Sequence, residues 1–473
     1  MRRQSPNKSG GHRKYLYALA TALAALGVVQ ASPAAAAPRA CPLISISGPQ
    51  VGDVRGDPGI TYSLLGAGYA QVPRIAYKLT GRFPHAAAYT LLALDDYTFI
   101  PGSPGVPPPL APPAAYTLSD FQIKPHRGSV NPFRPGNPIN APNRSYTIWV
   151  WPDSIPVPAG LRNVLLFPTT PAAPYDAQIR WSVVLRQYLM QPGYSAQRSL
   201  PTAQAVSTSH PNVDIPCPAS MTTRAEYSAL ALSGLANTLR FYLPALRAAP
   251  PTAPPDSRSV HFTRAPSQFV GAPDGFPVNG SNDALSATLD LSKITVVTIH
   301  KTPTFFNNQH LRGKAVMRKY QVRYMSVVAG DATGVGTDAL PDTSAIFTRA
   351  GSWVTVMLPS APRLTPEQVQ EVRAKAAALR YNVLQDPAPR RPRAKLSAVA
   401  IRQKIVNADF CCAVTNVPSW TDPNNPATAR NDYLNWTLQS SPAFFANHAS
   451  NSRNMGPYWI GGVQESFSEF MAG

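Results

Sequence analysis

Ser145-Tyr146-Thr147-Ile148-Trp149-Val150-Trp151 is a run of β-branched and aromatic residues, and its reading decides the fold. Such a run favours an extended strand, whose alternating faces would put Trp149 and Trp151 on one side, roughly 7 Å apart. Working outward, Arg74-Ile75-Ala76-Tyr77-Lys78-Leu79-Thr80 has the same texture, and from Ile60 to about Val184 short runs of this kind are separated by Pro, Gly and Asn clusters. The spacing predicts a sandwich. Two connections, Pro101 to Pro113 and Pro125 to Pro142, are too rich in proline for regular structure and belong at the surface.

A second strand-rich block starts at Leu289, with strands expected over Lys293–His300, Tyr320–Val328 and Ser352–Leu358. Between the blocks, Thr223-Arg224-Ala225-Glu226 is a capping box and opens a helix to Leu246, followed by a proline-rich linker over 248–258. Thr365-Pro366-Glu367-Gln368 combines an N-cap, an N1 proline and a capping-box Gln, and predicts a helix over 366–384. Beyond Leu396 the expectation is a mixed tail: a helix to about Asp409, loops rich in Asn and Pro, and an amphipathic end around Phe467 and Phe470. The fold class expected is mainly β, with two related β-sandwich (jelly-roll-like) lobes and peripheral α-helices. The lobes would span 38–220 and 261–395, joined by the helix and linker of 221–260 and followed by the tail of 396–473.

A short duplication links the two blocks. Gly81-Arg82-Phe83-Pro84 precedes Ala88-Tyr89 and then Asp96, while Thr302-Pro303-Thr304-Phe305 precedes Arg323-Tyr324-Met325-Ser326 and then Asp331. In this alignment Tyr89 matches Tyr324, Ala88 stands where the second block has Arg323, and each Asp ends a strand and caps a turn. The same residues, together with Phe83-Pro84-His85-Ala86, Asn131-Pro132-Phe133-Arg134-Pro135-Gly136 and Asn140-Ala141-Pro142-Asn143-Arg144-Ser145-Tyr146, resemble a family of uncharacterised secreted bacterial proteins. The resemblance covers most of residues 60–360. It implies a two-lobed, mainly β exported protein and no particular reaction.

Composition supports a folded, proline-stiffened chain. Of 473 residues 44% are hydrophobic and only 14% charged, which argues against a disordered or coiled-coil protein. Fifty-two prolines against 29 glycines disfavour long helices. Arg2, Arg3, Lys8, Arg13 and Lys14 precede an apolar stretch from Leu16 to Ala31 and then Ala34-Ala35-Ala36-Ala37, the order of a secretory signal peptide over 1–37 cleaved near Ala36-Ala37. The protein is then secreted, periplasmic or in the cell envelope, without a transmembrane span in the mature chain. Loss of five basic residues and no acidic ones takes the formal charge from +19 to +14. Such an excess favours anionic partners. Arg390-Arg391-Pro392-Arg393-Ala394-Lys395 lacks interleaved aromatics, so it reads as a solvated linker and specific nucleic-acid binding is not expected.

An oxidising compartment makes disulfides the expected use of the four cysteines. Cys41–Cys217 would tie the mature N-terminus to the end of the first block, leaving Cys411 and Cys412 either as a vicinal ring or reduced and buried. No G-x-S-x-G elbow, H-E-x-x-H or phosphate loop with its Lys-Ser/Thr occurs, and no metal or cofactor is expected.

Two constellations carry the ligand-binding expectation. Arg134, Asn140, Asn143 and Arg144 lie on a loop stiffened by Pro132, Pro135, Pro138 and Pro142, suited to an anionic or glycan-like ligand, although the same groups could satisfy the loop's own backbone. Trp149 and Trp151 would stack on sugar rings or an apolar polymer if their face is wet, and fill a core if it is not. The function expected is an exported binding or envelope-associated protein. The alternative is a secreted hydrolase or lyase with a site between the lobes, built from His85, Asp96, Arg323, Tyr324 and Asp331, with the Tyr324 phenol moving a proton and Arg323 holding a carboxylate or oxyanion.

Overall fold

The computed structural model describes residues 40–45, 60–68, 74–95, 115–167, 169, 180–218, 221, 258–260, 262–264, 283–290, 292–305, 320–331, 336–359, 363–385, 396–406, 409–414 and 453–473. The expected signal peptide, the helix of 223–246 and the basic run of 390–395 lie outside them. The described chain is mainly β.

The first ten strands are β1 (Ile44–Ser45), β2 (Ile60–Gly68), β3 (Ile75–Arg82), β4 (Ala86–Asp95), β5 (Ala115–Ser119), β6 (Ser145–Pro152), β7 (Val164–Phe167), β8 (Arg180–Met190), β9 (Thr202–Ser207) and β10 (Asp214–Ile215). They form two five-stranded sheets, ordered β1-β2-β8-β4-β5 and β10-β9-β3-β6-β7. Alternate side chains explain why the sheets face one another. Tyr89, Leu91 and Ala93 of β4 and Trp181, Val183 and Leu185 of β8 share a core with Tyr77 and Leu79 of β3 and Tyr146, Ile148 and Val150 of β6. Trp181 stacks on Phe167 at 4.2 Å.

The remaining strands are β11 (Thr263–Arg264), β12 (Asp283–Asp290), β13 (Ile294–Ile299), β14 (Val322–Asp331), β15 (Gly336–Pro341), β16 (Trp353–Leu358), β17 (Asn382–Gln385), β18 (Leu396–Val406) and β19 (Ile460–Glu465). Their sheets run β11-β12-β18-β14-β15 and β17-β16-β13-β19, again around one shared core. The strand order of the first pair of sheets thus recurs, down to the parallel pairing of β6 with β7 and of β16 with β17. Those parallel pairs depart from an all-antiparallel jelly roll.

Three backbone devices recur with the order. Leu189 (φ 44°) and Ile405 (φ 52°) interrupt the pairing of β8 with β4 and of β18 with β14 without shifting its register, facing Ala87 and Arg323. Asp120, just after β5, accepts the Tyr89 N–H, and Asp342, just after β15, accepts the Met325 N–H. Asn163 closes a clamp on the backbone of Lys124 and Thr147, and Asn382 closes the same clamp on Ile346 and Val354. These matches place Ala87 opposite Arg323, Ala88 opposite Tyr324 and Tyr89 opposite Met325, so the sequence alignment of Tyr89 with Tyr324 is off by one residue. A one-residue slip exchanges the faces of a strand. Tyr89 accordingly fills the first sandwich core, whereas Tyr324 points to the other side of its sheet.

That other side is buried too. Tyr62 and Leu64 of β2, Ala88 and Leu92 of β4, and Val184 and Tyr188 of β8 pack against Tyr324 and Ile405. Tyr188 and Tyr324 lie 5.4 Å apart, ring centre to ring centre. The strands of these two facing sheets bury apolar side chains on both faces, which is why they read as nearly continuous hydrophobic runs.

Two segments differ from expectation. Helix α1 (Pro366–Ala378) has the expected capping box at Thr365 but stops short of 384: Arg380 takes φ 60°, and Asn382 begins β17 beside β16. The helix expected from Leu396 to Asp409 is strand β18, because its Val399 and Ile401 alternate into the second core. The segment 396–473 is therefore no appendage: β18 and β19 complete the second pair of sheets, and helix α2 (Phe467–Ala472) seats Phe470 beside Val372 and Ala376 of α1. Cys41–Cys217 is bonded, at a Cα separation of 5.5 Å, as are Cys411 and Cys412.

Candidate functional site

Pro125 to Pro142 forms a loop of ordered turns leading into β6, and its polar side chains mostly serve its own backbone. Asn131 is fully buried: its amide donates to the Asp120 and Ile123 carbonyls at 2.7 Å, and its Oδ1 accepts the Phe133 N–H. Asn137 donates to the Asn131 carbonyl, and Arg134 Nε to the Phe121 carbonyl at 2.9 Å. Asn140 and Asn143 are exposed.

Arg144, the last residue before β6, is different. Only 2% of it is exposed, yet no carboxylate among the described residues pairs with it. Its Nη2 donates to the Pro84 carbonyl at 3.1 Å, its Nη1 donates to His85 Nε2 at 2.8 Å, and its Nε has no partner. His85 Nδ1 lies 3.3 Å from Gln191 Oε1 and 3.0 Å from the same Arg144 Nη1, so the guanidinium sits against both ring nitrogens. Desolvation, then the charge of Arg144, lowers the His85 pKa to about 4, so the imidazole is neutral at pH 7. Burial, then the neighbouring Arg82, brings Arg144 down to about 10, still cationic at pH 7. Tyr194 stacks on His85 at 3.7 Å and is 50% exposed. The exposed Arg82 holds the Pro142 carbonyl at 2.5 Å. Two arginines, a neutral imidazole and an open phenol ring therefore meet where β3 turns into β4. Such a site has positive charge, directional donors and an aromatic face, which suits an anion carried on a ring.

Of the residues expected to act together in an enzyme, His85 lies at that place and Arg323 and Tyr324 do not. Arg323 is fully buried, with Nη1 on the Asp120 carboxylate and Nη2 on the Phe133 carbonyl at 3.0 Å and the Tyr320 hydroxyl at 2.6 Å. Its guanidinium also lies over the Phe133 and Tyr320 rings. Burial alone would lower the Arg323 pKa, but Asp120 outweighs it and holds the group above its ordinary value. Tyr324 is fully buried in the contact with Tyr188, and neither side chain reaches solvent. Asp96 lies outside the described residues, and of Asp331 only its place at the end of β14 is described. Trp149 and Trp151 do share a face, but it is covered: Trp151 is fully buried and donates to the Ile155 carbonyl, and both pack with Ile155, Leu161, Val164 and Leu166. They fill a small core. Asp120, Tyr194 and Tyr320 carry no expectation from the sequence, and only Ser119-Asp120-Phe121-Gln122, a capping box, marks the neighbourhood of the first.

No family model and no curated protein matches the chain. Among solved structures, an uncharacterised protein from Burkholderia cenocepacia is similar at a TM-score of 0.40 and 11% identity, over 75% of each chain. A protein from Vibrio parahaemolyticus is similar at a TM-score of 0.29 and 10% identity, over 76% of this chain and 86% of its own. Among the described residues no helix is long and apolar enough to cross a membrane, and no group of side chains is arranged to hold a metal ion.

Proposed function

We propose that the protein is an exported, extracytoplasmic binding protein, built from two related sandwich halves and carrying its ligand site at Arg144, Arg82, His85 and Tyr194. Residues 1–37 serve as the signal peptide, and 221–260 connects the halves. The ligand is anionic and ring-bearing, of the acidic glycan type.

One observation carries this reading: Arg144 is a buried cation with no carboxylate among the described residues. Burying an unpaired charge is costly, and a carboxylate seated on the exposed Arg82 would offset the Arg144 charge behind it through space. Tyr194 offers a face on which a sugar ring can lie. The recurrence of strand order, of the positive-φ residues Leu189 and Ile405, of Asp120/Asp342 and of Asn163/Asn382 supports the two halves, and the Cys41–Cys217 bond fits an oxidising compartment.

Thermal unfolding of the mature chain with hexagalacturonate tests the site. At roughly a hundred times the dissociation constant a ligand adds about 2.7 kcal/mol to stability, a rise in melting temperature that maltohexaose should not match. Equal responses to the acidic and neutral sugars, or none to either, would refute it.

A further inference from the structure

The β3–β4 connection and the segment before β9 supply His85 and Tyr194, and the equivalent pieces of the second pair of sheets carry a similar arrangement. His300, on the β13–β14 connection, stacks on Trp459, just before β19, with ring centres 3.9 Å apart and planes 13° apart. The backbone fixes the stack: His300 N–H donates to the Trp459 carbonyl, and Ser352 Oγ donates to the His300 carbonyl at 2.7 Å. The indole also needs Gly461, since a Cβ there would stand 2.6 Å from the ring. Beside it, Lys301 Nζ lies 5.1 Å from the centre of the Tyr458 ring. His300 and Lys301 are both exposed.

We propose that His300, Lys301, Tyr458 and Trp459 form a second binding site for acidic saccharide, at the end of the second pair of sheets that corresponds to the Arg144 end of the first. The inference rests on the reading of the Arg144 site only for the choice of ligand class. Its residues are its own: an imidazole backed by indole offers the ring face, and Lys301 the charge. A lysine is a point charge without the forked geometry of arginine, so this site should be the weaker and less selective of the two.

Calorimetric titration of the mature chain with hexagalacturonate separates the alternatives, because affinity and stoichiometry are read together. The wild type should bind at two sites. The variant His300→Ala/Lys301→Glu should retain one, and Arg82→Glu, which changes an exposed residue of the first site, should retain the other. Tryptophan emission gives an independent readout: ligand should perturb it in Arg82→Glu and not in His300→Ala/Lys301→Glu. One site in the wild type, abolished by Arg82→Glu and untouched by His300→Ala/Lys301→Glu, would overturn the second site and leave the first standing. One site abolished by His300→Ala/Lys301→Glu alone would do the reverse. No binding in any variant would remove both.

Discussion

Breaking the Asp120–Arg323 pair should be among the most damaging changes the chain can suffer. Both side chains are fully buried, and the pair joins the segment after β5 to β14, in the other pair of sheets. Arg323→Met would leave the Asp120 carboxylate with the Tyr89 N–H but no counter-charge, and would strip donors from the Phe133 carbonyl and the Tyr320 hydroxyl. Asp120→Leu would leave a buried guanidinium and an unsatisfied Tyr89 amide. Removing one partner of a buried pair costs about 3–5 kcal/mol, and each single variant should show a loss of that size. The double variant Asp120→Leu/Arg323→Met removes both charges together, so its loss should fall well below the sum, with a coupling of about 1–3 kcal/mol. Equilibrium urea unfolding at pH 7, with all four proteins on the same slope, measures this cycle. Single losses under about 1 kcal/mol, or strictly additive losses, would show that the pair is not the buried lock described here.

The remaining expectations concern other parts of the molecule. Reducing or replacing Cys41–Cys217, which spans a separation of 176 residues, should cost up to about 5 kcal/mol by loop entropy, read as a drop in the unfolding midpoint. Asn163→Ala and Asn382→Ala should each cost about 1–3 kcal/mol, because each strips a donor or acceptor from matching backbone groups; a neutral result at either would break the equivalence. His85 has a folded pKa of about 4, below the ordinary value, so the unfolded chain takes up its proton first on acidification. Its contribution to stability is full above about pH 6.5 and is lost as pH falls toward 4, and since the ring is only half-buried the loss should be about 1 kcal/mol. His85→Gln should flatten the stability profile in that window; an unchanged profile would contradict the neutral, accepting imidazole.

The class of fold was legible because strands such as Ser145–Pro152 carry their period-two signature openly, and the capping box at Thr365 marked the start of α1. Less was legible where both faces of a strand are buried. β18, Leu396–Val406, has little polar alternation and was open to a helical reading, which only its place between β12 and β14 excludes. The end of α1 was hidden for a related reason: the Asn382 clamp and the parallel partner β16 draw the chain out of the helix, and neither is local in sequence. The site was legible in part. Arg144 and His85 stood out by type, but Tyr194 reaches them from a different connection, and Arg134 and Trp151 are held by backbone and core contacts that composition does not reveal.

The one-residue slip between Tyr89 and Tyr324 shows what recurs and what does not. Where the pairing is interrupted the backbone repeats, with Leu189 and Ile405 both at positive φ, while the facing side chain changes from Ala87 to Arg323. Asp120 and Asp342 both anchor the neighbouring strand, yet only Asp120 pairs with Arg323. The repeated residues fix backbone, where a sheet's geometry leaves few substitutes for an Asn or Asp acceptor. The two Asn clamps match Thr147 with Val354, which sets Arg144 against Gly351 three residues earlier. The residues that differ, Ala87 against Arg323 and Arg144 against Gly351, decide how the sheets join and what charge their ends present. An alignment by residue type is drawn to tyrosines, which are frequent here, and misses the register, because register is written in hydrogen bonds between strands distant in sequence.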